Sequence, residues 1–123
     1  MPSRILIVDD ASFMRMMLRN ILTSHGHTIV AEAENGLKAI EAYQQSKPDI
    51  MLIDLIMPEM GGIEAVKRIM EIDPQAKVVI CSAMGQQALV VEAMQAGACD
   101  FIIKPFQPTS VIEAVQKLEA GEG

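Results

Sequence analysis

The sequence predicts an α/β protein whose parallel sheet is covered by helices on both faces. Two observations support this. Five short apolar runs alternate along the chain with longer segments that have helical spacing. Runs such as 50–53 and 78–81 are almost continuously apolar, which is typical of strands that are buried on both sides. With 123 residues and half of them apolar, the chain is expected to form one domain over 1–123.

Each element of this pattern has its own signal. The predicted strands lie near 4–9, 28–33, 49–53, 77–82 and 100–103. The predicted helices run from about 12 to 24, 36 to 45, 62 to 72 and 86 to 95, and from 108 onward. Ser12 and Asn35 are predicted N-caps, Gly26 and Gly97 predicted stops, and Pro108 a favoured first helical residue. Residues 120–123 are expected to fray.

The helical spacing also predicts which side chains face the core. In chain order they are Phe13, Met16, Met17, Leu18, Ile21, Leu22, Leu37, Ile40, Tyr43, Ile63, Val66, Ile69, Met70, Val111, Ile112, Val115 and Leu118. Aromatic residues make up only 3% of the chain. The core is therefore expected to be aliphatic, with methionine as an adaptable filler.

Composition excludes several classes of protein. The formal charge is −6 with no basic run, which argues against nucleic-acid binding. No apolar run approaches the length of a membrane span, and the four apolar residues after Arg4 are too few for a signal peptide. We therefore expect a cytoplasmic protein without membrane contact. Cys81 and Cys99 lie outside any metal or redox spacing and are expected to be free thiols. His25 and His27 flank Gly26 and are interpreted as turn residues.

Five chemically active residues follow or end the predicted strands. They are Asp9, Asp10, Asp54, Ser82 and Lys104. The carboxyl ends of parallel strands meet at one edge of a sheet, where α/β proteins bind their ligands. Two carboxylates about 4 Å apart repel by about 4 kcal/mol at an effective dielectric near 20, and a bound cation removes that cost. Oxygen ligands favour a hard ion such as Mg²⁺, which commonly also binds a phosphate oxygen. The pattern predicts a site for Mg²⁺ and a phosphoryl group.

These residues closely resemble a known family. The set Asp9-Asp10, Asp54 followed by Met57-Pro58, Ser82-Ala83 and Lys104-Pro105 resembles the receiver domain of bacterial two-component response regulators. The resemblance covers essentially the whole chain, and stretches 5–11, 13–17, 81–87 and 101–107 are most similar to single-domain chemotaxis receivers. It implies a single receiver domain with a doubly wound, flavodoxin-like sheet in the strand order 2-1-3-4-5.

The resemblance also implies a role for each site residue. Asp54 would accept the phosphoryl group, and Asp9, Asp10, Asp54 and the backbone carbonyl of Ile56 would hold Mg²⁺. Lys104 would pair with Asp54 and then with the phosphoryl group, and the Lys104–Pro105 bond would be cis.

Ser82 and Phe101 would act as the switch, on a surface formed by the fourth helix, fifth strand and fifth helix. Gln86, Gln95, Lys104, Phe106 and Val111 are candidates for that surface. Ile56 and Met84, two residues beyond Asp54 and Ser82, would border the phosphoryl group. Because both are apolar, we predict slow autodephosphorylation.

The leading interpretation is a signalling phospho-acceptor that assists its own phosphorylation but is not an enzyme. The implied partners are a histidine kinase of the CheA type and a flagellar motor switch protein, with a phosphatase as an additional partner. Output through protein contacts is expected, since no DNA-binding segment follows residue 119, and the protein is expected to be a monomer.

The sequence allows one further use of the same pocket and argues against two other classes of protein. A phosphorelay intermediate of the sporulation type, or another stand-alone response regulator, would use the same pocket. A phosphatase with an aspartyl-phosphate intermediate would need an acid at the position of Ile56. A flavin protein would need a Ser/Thr-rich loop in place of Asp9-Asp10-Ala11, which repels phosphate unless a metal is bound.

Overall fold

Strands and helices alternate strictly along the chain in the computed structural model, which describes residues 2–121. Their bounds are β1 Arg4–Val8, α1 Ser12–Thr23, β2 Thr28–Ala33, α2 Gly36–Ser46, β3 Ile50–Asp54, α3 Gly62–Ile72, β4 Val78–Ser82, α4 Gln87–Ala96, β5 Asp100–Ile103 and α5 Pro108–Glu119. Every predicted element is present, with bounds within about two residues of those expected. The predicted fraying of 120–123 lies partly outside the described residues.

All strand pairs in the sheet are parallel, and the order is β2-β1-β3-β4-β5. The resemblance implied this order, and the structure confirms it. The first strand lies between β2 and β3, with Val8 opposite both Ala33 and Ile53. At the far side Ser82 lies opposite Ile103. The carboxyl ends of β1, β3, β4 and β5 therefore align along one edge, where the chain changes direction between the two halves of the sheet.

Each face of the sheet has its own hydrophobic core, because successive strand side chains point to opposite faces. On one face Ile5, Ile7, Leu52 and Val79 pack with side chains of α1 and α5. On the other, residues such as Leu6 and Met51 pack with α2, α3 and α4. The central strands β3 and β4 are buried along their whole length. Double-sided burial explains their continuous apolar sequence.

The helical faces of α3 and α5 match the prediction, and those of α1 and α2 match it only in part. In α1 Leu18 and Leu22 are buried as predicted, whereas Phe13 and Met16 are exposed. In α2 Tyr43 is buried as predicted, but Ala39 takes the other buried position and Leu37 is 51% exposed. The α1 segment is apolar around much of its circumference, so hydrophobicity alone left its rotation undetermined. In α2 a small residue lies against the sheet, which lets the helix approach closely.

Helix ends follow the sequence signals with one exception. The Asn35 side chain accepts a hydrogen bond from the Lys38 N–H at 2.8 Å, as expected of an N-cap. Pro108 opens α5, and Gly97 ends α4 at a φ of 126° that favours glycine. Ser12 was wrongly predicted as the cap of α1. Ala11 occupies that position, and no side chain caps the helix.

None of the helices within residues 2–121 is both long enough and apolar enough to traverse a lipid bilayer. Cys81 is buried and Cys99 half-buried, and both are free thiols, as predicted. Burial raises the pKa of the Cys81 thiol well above its ordinary value, and the nearby Asp54 carboxylate adds to this effect. This thiol is therefore kept protonated and unreactive.

Candidate functional site

Three acidic side chains converge at the carboxyl edge of the sheet. Asp9 and Asp10 follow directly after β1, and Asp54 is the last residue of the neighbouring β3. One carboxylate oxygen from each of the three lies within 4.8 Å of the other two. The sequence prediction that these side chains meet is thus correct in its geometry, and the cause is the direct pairing of β1 with β3.

A single ammonium group bridges two of these carboxylates. The Lys104 Nζ lies 3.0 Å from Asp9 Oδ2 and 3.2 Å from Asp54 Oδ2. The lysine follows β5, and its backbone N–H donates to the Ser82 carbonyl at 2.7 Å, which fixes it against β4. The Lys104–Pro105 bond is cis, as the resemblance implied. Lys104 therefore extends from the β5 edge of the sheet across the strand ends to the carboxylates that follow β1 and end β3.

The three carboxylates differ in how firmly they are held. Asp9 is buried, and its Oδ1 accepts from the Ala11 N–H at 2.9 Å. Asp54 is also buried, and its Oδ1 accepts from the Leu55 N–H at 3.0 Å. The Asp10 side chain is exposed. One carboxylate of the cluster thus faces solvent, while the other two are fixed in place.

Burial and neighbouring charges shift the pKa values of Asp54 and Lys104. Burial raises the pKa of Asp54 above its ordinary value, and the Asp9 carboxylate adds to this, although Lys104 partly opposes both. Burial alone would lower the pKa of Lys104, but its bonds and charge interactions with Asp9 and Asp54 outweigh that effect and raise the pKa. Lys104 is therefore firmly protonated, and its single charge does not balance three carboxylates.

This donor set fits a hard divalent cation. All three side chains offer carboxylate oxygens, the ligands that Mg²⁺ prefers in proteins. Lys104 compensates for one negative charge, so a divalent ion would balance the remaining two. The exposed Asp10 leaves the cluster open to solvent on one side. The acidic cluster could therefore hold Mg²⁺ together with several of its water ligands.

The remaining predicted site residues lie in or shortly after β3, β4 and β5. Ser82 is buried at the end of β4, next to the strand that carries Asp54. The side chains of Ile56 and Met84 are 57% and 80% exposed. Phe101 is 42% exposed and borders a groove of about 320 Å³ between α4 and β5. The groove also contains Ser82 and Ile103.

The predicted switch surface needs a correction. Gln95 is exposed and Gln86 half-exposed, so both can contribute to a surface on α4. Phe106 and Val111 cannot, because both are buried in the core formed with α1 and α5. Phe106 was misassigned because it follows the exposed end of β5 in sequence, although the chain turns back there toward the core.

The family model described as "Response regulator receiver domain" matches residues 5–116. The chain belongs to this family. The receiver domain is 59% identical to the chemotaxis protein CheY of Thermotoga maritima, over 96% of this chain and 98% of that protein. It is 57% identical to CheY of Bacillus subtilis, over 95% of this chain and 98% of that protein. It is a CheY-type receiver of two-component systems.

A solved structure agrees with this assignment. The receiver domain superposes on a CheX–CheY–BeF3–Mg²⁺ complex from Borrelia burgdorferi with a TM-score of 0.92. The identity is 36%, and the match covers 97% of this chain and 90% of that one. The arrangement of strands and helices is therefore that of a CheY-like receiver.

Sequence reasoning missed one group beside the cluster. The Arg15 Nη1 donates to the Asp9 backbone carbonyl at 2.6 Å, and its Nε pairs with Glu32 on β2 at 3.1 Å. In sequence, Arg15 is an ordinary charged residue one turn into a helix. No local signal could have linked it to Asp9 and Glu32, because that contact depends on how α1 packs beside β2.

Proposed function

We propose that this single receiver domain, spanning 1–123, is phosphorylated on Asp54 by a histidine kinase in a Mg²⁺-dependent reaction. The observation that carries the proposal is the position of Asp54 between two acidic side chains and Lys104. Asp54 ends the central strand β3, and it shares the Lys104 ammonium group with Asp9. It therefore combines a nucleophilic oxygen with a neighbouring cation.

The proposed step is the transfer of a phosphoryl group to a carboxylate oxygen. An Asp54 oxygen forms a bond to phosphorus while the bond from phosphorus to the imidazole nitrogen of the donor histidine breaks. The imidazole keeps the electron pair and takes up a proton. Lys104 neutralises negative charge on the transferred oxygens, and its raised pKa keeps it charged for that role. Ser82 supplies a hydroxyl donor from the neighbouring strand.

Mg²⁺ would be held by Asp9, Asp10, Asp54 and the backbone carbonyl of Ile56. The bound ion would supply electrostatic stabilisation of the phosphoryl oxygens. The protein's own contribution is positional. The Leu55 N–H and Lys104 hold Asp54, and the Ala11 N–H and Lys104 hold Asp9. The receiver thereby assists its own phosphorylation and, at a slower rate, the loss of the phosphoryl group.

The signal would pass to a protein partner through the face formed by α4 and β5. Here Phe101 and Ile103 are partly exposed beside the groove that contains Ser82. A shift of Ser82 toward the phosphoryl group would vacate space into which Phe101 could turn. Because the curated relatives named above are chemotaxis proteins, we infer a kinase of the CheA type as donor. We infer the flagellar motor switch as the target, with a phosphatase as a further partner.

Mass spectrometry can test the phosphorylation. Wild-type protein incubated with Mg²⁺ and a small phosphodonor such as acetyl phosphate should gain the mass of one phosphoryl group. The gain should be lost in Asp54→Asn and when the metal is chelated. Asp49→Asn, a carboxylate at the opposite edge of the sheet before β3, is the matched control and should be modified normally. Wild-type protein that remains unmodified would contradict the proposal.

A phosphorelay intermediate of the sporulation type is the alternative use of the same pocket. The two functions differ in what the phosphorylated receiver does next. Phosphorylated protein should bind a motor switch peptide more tightly than unmodified protein, and it should not transfer its phosphoryl group to a phosphotransfer histidine. Efficient transfer without switch-peptide binding would favour the relay.

A further inference from the structure

Asp10 has an unusual position among the three carboxylates. Its side chain is exposed, and no hydrogen bond or ion pair to its carboxylate occurs within residues 2–121. The position of Asp10 must therefore come from the backbone on either side of it. On its C-terminal side, the Ala11 N–H is held by Asp9 Oδ1 at 2.9 Å. On its N-terminal side lies the peptide that joins Asp9 to Asp10.

The carbonyl of that peptide lies beyond the sheet ladder. The Asp9 N–H still donates to the Ala33 carbonyl at 3.1 Å, but β1 ends at Val8. The Asp9 carbonyl accepts from Arg15 Nη1 at 2.6 Å. A backbone acceptor that leaves a strand needs such a partner. The guanidinium replaces the missing strand contact and restrains the plane of the Asp9–Asp10 peptide.

The guanidinium is itself anchored. Its Nε lies 3.1 Å from Glu32 Oε1, and the other oxygen of Glu32 lies 2.6 Å from Nη1 of Arg19. Arg15 and Arg19 are one turn apart on α1, and Glu32 on β2 lies between them. The Arg15 side chain is 18% exposed and that of Arg19 is 42% exposed. The planar fork of Arg15 thus links the loop after β1 to β2, which a single-point donor could not do.

We infer that Arg15 is a positioning residue for the metal site. By fixing the Asp9–Asp10 peptide against Glu32, it presets the direction in which the free Asp10 carboxylate points. A preset ligand loses less conformational freedom when the ion binds, so the ion binds more tightly. This inference rests on the proposed function, because it assigns Asp10 to Mg²⁺.

Charge and positioning predict opposite effects of losing Arg15. A positive side chain beside a cation site repels the cation, so charge alone predicts tighter Mg²⁺ binding in Arg15→Ala. Loss of positioning predicts weaker binding, by about tenfold, the lower end of the range for residues that orient metal ligands. The direction of the change therefore distinguishes the two, and a purely structural role in folding would leave the affinity of the folded protein unchanged.

The experiment is a Mg²⁺ titration of metal-free protein followed by backbone amide NMR. Arg15→Ala should weaken binding about tenfold. Arg15→Lys retains the charge but cannot bridge both acceptors, so it should weaken binding less. Arg19→Ala is the matched control, because it removes the other cation on Glu32 without touching Asp9, and should change affinity by less than about twofold. Unchanged or tighter binding in Arg15→Ala would overturn the inference.

Amide hydrogen exchange without metal provides the second readout. The Ala11 N–H should exchange several-fold faster in Arg15→Ala than in wild type or Arg19→Ala, because the loop has lost its anchor. Equal exchange in all three would also overturn the inference. Failure of wild-type protein to bind Mg²⁺ would overturn the proposed function and this inference together. Normal wild-type binding with unchanged Arg15→Ala would overturn the inference alone.

Discussion

At the scale of single residues, the site is defined by an imbalance of charge. Three carboxylates lie close together, two of them are buried, and one ammonium group contacts only those two. Folding without metal therefore buries a carboxylate and brings it close to a second one. Burial raises the pKa of Asp54, and repulsion by Asp9 adds to the effect. The site is built for a ligand at some expense to the stability of the metal-free protein, as functional sites often are.

Asp54→Asn should stabilise the metal-free protein at neutral pH. Because the pKa of Asp54 is raised on folding, the folded protein holds this proton more tightly than the unfolded chain. Stability is therefore lost as pH rises from the ordinary pKa through the raised one. The gain should stay below about 4 kcal/mol, since Lys104 already offsets part of the repulsion.

Urea unfolding at several pH values measures this effect. The difference between Asp54→Asn and wild type should disappear in acid, where Asp54 is protonated in both states. Lys104→Met is the opposing control and should destabilise the protein, because it leaves Asp9 and Asp54 without their cation. A destabilised Asp54→Asn at neutral pH would show that the Lys104 pair outweighs the repulsion.

Ile56 and Met84 should make loss of the phosphoryl group slow. Both side chains are exposed and apolar, so neither can orient an attacking water. An Ile56→Asn, Met84→Glu double variant should lose its phosphoryl group faster, by about tenfold or more, because polar groups can position the water. The measurement is the decay of phosphorylated protein after the donor is removed. Decay that is no slower in wild type than in the double variant would contradict the prediction.

At the scale of elements, the connection from β3 to α3 is packed tightly around Asp54. A Cβ atom added to Gly62 would lie 2.2 Å from the Asp54 backbone carbonyl oxygen. The Gly62 N–H donates to the Leu55 carbonyl at 2.9 Å, which draws the start of α3 against the end of the strand. Position 62 therefore requires glycine, because its backbone lies too close to that of Asp54 for a side chain to fit. The start of α3 in turn helps to fix the backbone that carries Asp54.

Gly62→Ala should cost about 1–3 kcal/mol of stability, as overpacking of a close contact typically does. The added methyl group meets backbone atoms, which cannot rotate away. Gly61→Ala is the matched control, since its Cβ would meet the Leu55 carbonyl at 3.2 Å and its φ of −74° suits any residue. Chemical unfolding compares the two. Equal stabilities would mean that the α3 start moves freely away from Asp54.

At the scale of the whole molecule, the hydrophobic cores on the two faces of the sheet hold in place the strands whose carboxyl ends carry the acidic cluster. Helices α1 and α5 cover one face, and α2, α3 and α4 cover the other. The acidic cluster joins loops that leave neighbouring strands, so a ligand bound there links segments far apart in sequence. Binding at this edge should therefore stabilise the entire cooperative unit.

Mg²⁺ should raise the thermal unfolding temperature of the whole domain. An ion that binds only the folded state at 100 times its Kd contributes about 2.7 kcal/mol. Asp10→Asn should lose most of this gain, because it removes a carboxylate ligand from the cluster. Calorimetry with and without MgCl2, with NaCl at matched ionic strength as the control, measures the difference. An equal rise in wild type and Asp10→Asn would contradict the assignment of Asp10 to the metal.

Much of the fold could be predicted because its signals are local. Apolar runs, helix spacing, the Asn35 cap and Gly97 are each read within a few residues, and the structure agrees with them. The rotation of α1 and α2 could not be predicted in this way. It depends on which side chains fit against the sheet. Of the apolar residues predicted to face inward on α1, Leu18 and Leu22 do so, and Phe13 and Met16 do not.

The sequence by itself determined the alternation of strands and helices and the placement of Asp9, Asp10, Asp54, Ser82 and Lys104 at strand ends. The carboxyl ends of parallel strands lie at one edge of the sheet. The acidic cluster could therefore be predicted from the positions of these residues in the chain and the strand order implied by the family resemblance. Tertiary structure alone decided the contacts between elements that no local pattern encodes. The bond from Arg15 to the Asp9 carbonyl exists because α1 packs beside β2, where Glu32 can hold the guanidinium.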